Sequence, residues 1–178
     1  ARHGAVFTGC SSIGVRSGSE RVPIVAQNMD LEAFENWDPL MLRLHPEYGP
    51  AALTLADPGG IGLCGCNALG VAVACNTLSQ LPASGNGLGV SFVVRTILAQ
   101  SDLESVRRVI SELPHATGQN YLVGTPEGIA DFECSAEGVQ EVGAGDETIA
   151  HTNHPLTGPA AAATDSGSES VARLELLK

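Results

Sequence analysis

Basic residues are scarce. The 178-residue chain has nine Lys and Arg against 20 Asp and Glu, a formal net charge of −11. No basic stripe is available to hold phosphates, which excludes the usual electrostatics of nucleic-acid binding. Long apolar runs are missing as well. None approaches the roughly 18 residues that a membrane-spanning helix needs, so no membrane partner is expected. The five cysteines form no matched framework. Cys64-Gly65-Cys66 lacks the two-residue spacer of a zinc or thioredoxin pair, and no second pair accompanies it. No signal peptide is visible, and no internal repeat or low-complexity linker divides the chain. Cys64, Cys66, Cys75 and Cys134 are expected to be buried, reduced thiols. That points to a reducing compartment, the cytoplasm. The first residue is Ala1 rather than Met, so an upstream piece is expected to be missing or removed.

What is present is a hydrophobic content of 43%, enough for one domain with a real core. Two extended runs, 10–15 and 22–28, flank a turn cluster and read as a hairpin. Residues 31–39 form an irregular stretch that holds the only Trp, Trp37. Strands are predicted at 41–45, 51–56, 61–63 and 71–77, with turns at 57–60 and 67–70. Two helices follow. Ser91 is placed to cap the first, 92–100, and Ser101 with Glu104 matches a capping box for the second. Leu103, Val106, Ile110 and Leu113 then fall on one helical face, and Pro114 stops that helix. Strands resume at 120–123, 128–133, 139–142 and 148–153, and a final helix is predicted over 166–178. Strands, a helix pair, more strands and a helix argue for α+β layers rather than βαβ units. The continuously apolar run 71–75 requires cover on both faces, which a four-layer αββα sandwich supplies.

Four places carry chemistry. Cys10 follows Gly9 at the tip of a strand, and Asp30 lies just past its hairpin partner. Were the Gly9–Cys10 bond cut, the α-amine of Cys10, with an ordinary pKa of about 7.7–8.0, could take the thiol proton near neutral pH. Asp30 could then orient that amine. Asn76 ends an apolar strand on the face of Ala72 and Ala74, where a polar amide needs a partner. His151-Thr152-Asn153-His154 looks like a metal pair, but residues three apart on a strand face opposite ways, so no metal is expected. Asn153 shares a face with His151 and could donate to an oxyanion. Taken alone, each residue also has an ordinary structural reading: a buried thiol, a loop carboxylate, a turn asparagine. Met29, Leu31, Phe34 and Trp37 suit an apolar pocket and a core equally well.

Taken in order, these pieces resemble one family. Gly9-Cys10-Ser11-Ser12, Gln27-Asn28-Met29-Asp30, Gly62 with 67–71 and Asn76, and the segment from His151 to His154 are similar to the isopenicillin-N acyltransferase family. Those are self-processing N-terminal nucleophile (Ntn) cysteine hydrolases, related to bile salt hydrolases and penicillin V acylases. The resemblance implies an Ntn-type αββα fold, here lacking its C-terminal part. It implies a propeptide tail at 1–9, removed by autocleavage, and an Ntn-hydrolase domain at 10–178. Cys10 would be the nucleophile and new N-terminus, with Gly9 and Cys10 flanking the cleavage site. Asp30 would hold the amine. Asn76 and Asn153 would serve the oxyanion, and Arg173 matches a family arginine near the nucleophile. Gln27, Asn28, Phe34 and Trp37 would line the substrate pocket. Gln27 stands where bile salt hydrolases have an arginine, which argues against bile salts. The expected activity is amide (C–N) bond hydrolysis or acyl transfer on a small N-acyl substrate, amide or thioester. Acyl-CoA-dependent transfer and an inactive binding relative are the alternatives. No metal or organic cofactor is implied. The cleaved fragment can remain bound, and a homo-oligomer stays open.

Overall fold

The structure, a computed structural model, describes residues 9–16, 22–30 and 38–178. Leu31, Phe34 and Trp37 lie outside the described residues, as do positions 1–8 of the expected propeptide tail. Ten strands run in chain order: β1 (Gly9–Val15), β2 (Ile24–Asp30), β3 (Leu40–Leu44), β4 (Ala52–Ala56), β5 (Cys64–Asn67), β6 (Ala72–Thr77), β7 (Gln119–Thr125), β8 (Gly128–Ser135), β9 (Gly138–Val142) and β10 (Thr148–His151). Helices α1 (Val90–Ile97) and α2 (Leu103–Glu112) fall between β6 and β7, and α3 (Gly158–Ala162) and α4 (Glu169–Leu177) follow β10. Strands β3 to β9 form one antiparallel sheet in sequence order. A second sheet has the order β10-β1-β2.

The period-two side-chain rule sorts the large sheet into two faces. One face presents Val73, Cys75, Tyr121, Val123, Phe132 and Cys134, which pack with Val93, Ile97, Val106 and Ile110 of α1 and α2. Burying each such aliphatic side chain contributes about 1.5–3 kcal/mol. The other face presents Asn76, Leu122, Ile129 and Glu133 toward the small sheet, where Asn76 Nδ2 donates to Ser12 Oγ at 2.7 Å. Helix α4 lies on the far side of the small sheet, with Arg173 bonded to Ser11 of β1. The expected αββα layering is therefore present.

Local chemistry explains where elements begin and end. The amphipathic α2 starts one residue later than expected. Asp102, not Ser101, is its N-cap, in a capping box with Ser105. Gly89, with no side-chain cap, precedes α1, so Ser91 lies inside that helix. The strand expected at 61–63 forms instead as β5, Cys64–Asn67. Asn67 then builds the following turn: its Oδ1 accepts the Leu69 and Val71 amides, and its Nδ2 donates to the Leu98 and Gln100 carbonyls. Gly70 closes that turn at φ +88°, a left-handed conformation that glycine adopts without strain. Strand β10 stops at His151, which leaves Asn153 in a loop rather than on a strand. Among the described residues, no helix is long and apolar enough to cross a membrane.

Candidate active site

Strand pairing fixes which way the hairpin residues face. Cys10 pairs with Met29, Ser12 with Gln27 and Gly14 with Val25, so these six share one face of the small sheet. That face looks at the large sheet, because Ser12 meets Asn76 and Gly14 sits against Leu122 and Ile129. Gly9, Ser11, Asn28 and Asp30 occupy the opposite face, toward α4.

Two side chains from distant parts of the chain converge on the Cys10 backbone. Asn153 Oδ1 accepts the Cys10 N–H at 2.6 Å. Arg173 Nη1 donates to the Cys10 carbonyl at 2.5 Å and to Ser11 Oγ at 2.9 Å, and its Nη2 donates to Asn153 Oδ1 at 2.9 Å. Asn153 is itself fixed: its Nδ2 donates to the Thr77 carbonyl, its backbone N–H to Ser170 Oγ, and its carbonyl accepts from Gln80. Ser170 also joins Thr152 and His154, so the loop is tied to α4 at several points. Gly9 has to be small here. A Cβ on it would lie 2.6 Å from Arg173 Nη2 and 3.2 Å from Asn153 Oδ1.

The Cys10 thiol is half-buried. Burial pushes its pKa up, against bonds from Asn153 and Gln27 and the Arg173 charge, which pull it down, while the Asp30 charge adds a further upward push. With Gly9 attached, the thiol is thus protonated at neutral pH. Asp30 is exposed and pairs with Gly9, and among the described residues no hydrogen bond joins it to Cys10.

The other expected site residues fall in different places. Asn76 is fully buried, and its Nδ2 is committed to Ser12, Asn120 and the His151 carbonyl. Gln27 reaches across the sheets: its amide donates to the Cys75 carbonyl and accepts the Cys75 N–H. Asn28 is exposed on the other face. Of the four remaining thiols, Cys66 is exposed and Cys64 half-buried, contrary to the expected burial, while Cys75 and Cys134 are buried. Burial pushes the Cys75 thiol up to about 12.

Sequence reasoning missed the polar cluster behind the site. Asn120 donates to Asp131, and His151 Nε2 lies 3.0 Å from Glu133 Oε1. Burial raises the Asp131 carboxyl to about 6, opposed by the His151 charge and the Asn120 bond. Asn76 Oδ1 and Asp131 Oδ2 are buried with no hydrogen-bond partner among the described residues. The signal was there: two carboxylates two residues apart in the apolar run of β8.

A small sheet carrying a cysteine on its inner face, laid on a large antiparallel sheet between helical layers, is the Ntn-hydrolase fold. The fold matches a mutant of conjugated bile acid hydrolase from Clostridium perfringens at a TM-score of 0.58 and 15% identity, over 83% of this chain and 54% of that chain. Penicillin V acylase from Agrobacterium tumefaciens matches at a TM-score of 0.45 and 14% identity, over 80% of this chain and 44% of that one. The chain thus spans about half the length of these structures. No curated protein matches it. Residues 15–178 match the family model described as acyl-coenzyme A:6-aminopenicillanic acid acyl-transferase, and the chain belongs to that family.

Proposed function

We propose that the protein is a self-processing cysteine amidohydrolase, acting on a linear amide bond of a small N-acyl substrate, with Cys10 as nucleophile. The observation that carries this reading is the convergence of Asn153 and Arg173 on the backbone N–H and carbonyl of Cys10. A structural cysteine needs no guanidinium and no side-chain amide on its main chain.

The first step is self-cleavage. The Cys10 thiol attacks the Gly9 carbonyl carbon, the Cys10 nitrogen leaves as an amine carrying the thiol proton, and water hydrolyses the resulting thioester. This releases the segment ending at Gly9 as a carboxylic acid. The cut also supplies the missing base. A thiol raised by burial is a poor nucleophile alone, and the freed α-amine takes its proton. Asp30 is paired opposite Gly9, the residue that the cut removes, and its charge already acts on Cys10, so its carboxylate is the partner we assign to the new ammonium. In turnover the thiolate attacks the substrate carbonyl, Arg173 and the Asn153 Nδ2 hydrogen not given to Thr77 stabilise the developing negative charge, and the leaving amine takes the proton from the Cys10 ammonium. Water then resolves the acyl-enzyme. Asn76 serves this chemistry from behind, by fixing Ser12 and the His151 carbonyl.

The family description favours a second reading, in which the acyl donor is a CoA thioester and an amine replaces water. Incubating the processed protein with an N-acyl amide, and separately with an acyl-CoA and an amine acceptor, tests both. Release of free acid from the amide supports the hydrolase. Amide formation only from the thioester supports the transferase. An active protein with Gly9 still bonded to Cys10 overturns both.

A further inference from the structure

The loop that carries Asn153 is anchored at both ends by one buried carboxylate. Glu133 projects from β8 into the space between the sheets and is 3% exposed. On one side of the loop it meets His151 Nε2 at 3.0 Å. On the other side it accepts the backbone N–H groups of Leu156 and Thr157 and the Thr157 hydroxyl. Four donors on one carboxyl group suit its ionised form.

That arrangement fixes the state of His151. Its Nδ1 lies 2.9 Å from the Thr152 carbonyl oxygen. A carbonyl only accepts, so Nδ1 carries a hydrogen. Nε2 faces a carboxylate already supplied with three other donors, so it too must donate. Only the imidazolium does both. The ionisable groups that act on it are Asp131 and Glu133 on β8, and His154 in the loop faces it in turn. Burial lowers the His151 pKa, but the Glu133 bond, the Asp131 charge and the Thr152 carbonyl outweigh it and hold the value above that of ordinary histidine. Burial likewise raises Glu133, and its bonds to His151, Thr157 and Leu156 reverse the sign, leaving it below the usual carboxylate value.

We propose that Glu133 and a protonated His151 are positioning residues that hold the 152–157 loop so that Asn153 meets the Cys10 amide and Arg173. Neither touches the reacting atoms; both act through Asn153. The proposal rests on the Cys10 reading for its consequence in catalysis, while its structural half stands apart. The sign with pH follows. A raised histidine favours the ordered loop below its ordinary pKa of about 6.5 and loses that contribution as pH rises through the folded value. A lowered glutamate gives its contribution above about 4.3 and loses it as pH falls through the folded value. The loop is therefore held between those limits.

The test uses the full chain, labelled with 15N, and Glu133→Gln. In wild type, the His151 ring is expected to be doubly protonated at pH 7 and to lose its proton well above 6.5. A neutral His151 ring at pH 7 overturns the proposal. In Glu133→Gln, the titration is expected to fall to or below the ordinary histidine range and the Asn153 side-chain amide resonances to move. kcat and self-cleavage should fall about 10²-fold, as for a misplaced catalytic contact, with KM within a few-fold. Loss of stability with unchanged kcat per folded molecule would mean a merely structural role and overturn the proposal. If Glu133→Gln does not fold, Thr157→Val removes a single donor. Its kcat should fall about tenfold at unchanged KM, and no change overturns the proposal. If wild type turns over neither an amide nor an acyl thioester, the Cys10 reading fails alone, and the His151 titration and Asn153 resonances still decide the loop.

Discussion

The two faces of the seven-stranded sheet are made by alternate residues of the same strands, yet they do different work. Val73, Tyr121, Phe132 and Cys134 pack against α1 and α2 with no charged group among them. One residue along, Asn76, Asn120, Asp131 and Glu133 are just as deeply buried and face the small sheet that carries Cys10. The first face stabilises the fold by excluding water. The second sets positions, because most of its buried polar atoms are tied to named partners, and a tied group accepts few arrangements. The predictions below separate these tasks.

The largest effect falls on Cys10, the proposed nucleophile. Cys10→Ala should leave the chain uncut and inactive while both sheet faces stay folded, as read by intact mass and thermal unfolding. Next is Asn153→Ala, on the polar side. Its kcat on a cleavable amide should fall about 10²–10³-fold, as for loss of an oxyanion donor, with little change in Tm. Activity within a few-fold of wild type would remove Asn153 from the site.

On the helix-covered face the pattern should invert. Ile97 is fully buried, and Ile97→Ala should cost about 2–5 kcal/mol in denaturant unfolding while kcat per folded molecule is unchanged. A large kcat loss there would break the division between the faces.

The smallest effect is a pH slope. Asp131 titrates at about 6 when folded, above the ordinary value of about 3.9, so its ionisation opposes folding. The stability it confers is full below the ordinary value and is lost as pH rises toward 6. Asp131→Asn keeps an acceptor for Asn120 and should flatten that part of the stability–pH curve. An unchanged slope would mean that another group causes it.

The sequence was most informative where the pattern is local. The 3.6-residue spacing of Leu103, Val106 and Ile110 marked α2, and the continuous apolar run before Asn76 marked a strand covered on both sides. Local composition misled where it was weak. Cys64-Gly65-Cys66-Asn67 has no β-branched residue to announce β5, and the Pro159–Ala162 region has no periodicity to announce α3. The motif residues Cys10, Asn153 and Arg173 were legible by resemblance, and the structure brings these three together. What the sequence could not convey was partnership across the sheets. Nothing near Glu133 says that it reaches His151, and nothing near Gln27 says that its amide is spent on Cys75. Exposure was equally hidden: Cys66 faces solvent, so a labelling reagent that reaches Cys10 will also reach Cys66.

The most direct measurement is mass spectrometry of the N-terminus of protein that turns over substrate. The account predicts a chain that starts at Cys10 with a free α-amine, and no cut after Gly9 in Cys10→Ala. Active protein in which Gly9 remains joined to Cys10 would contradict it.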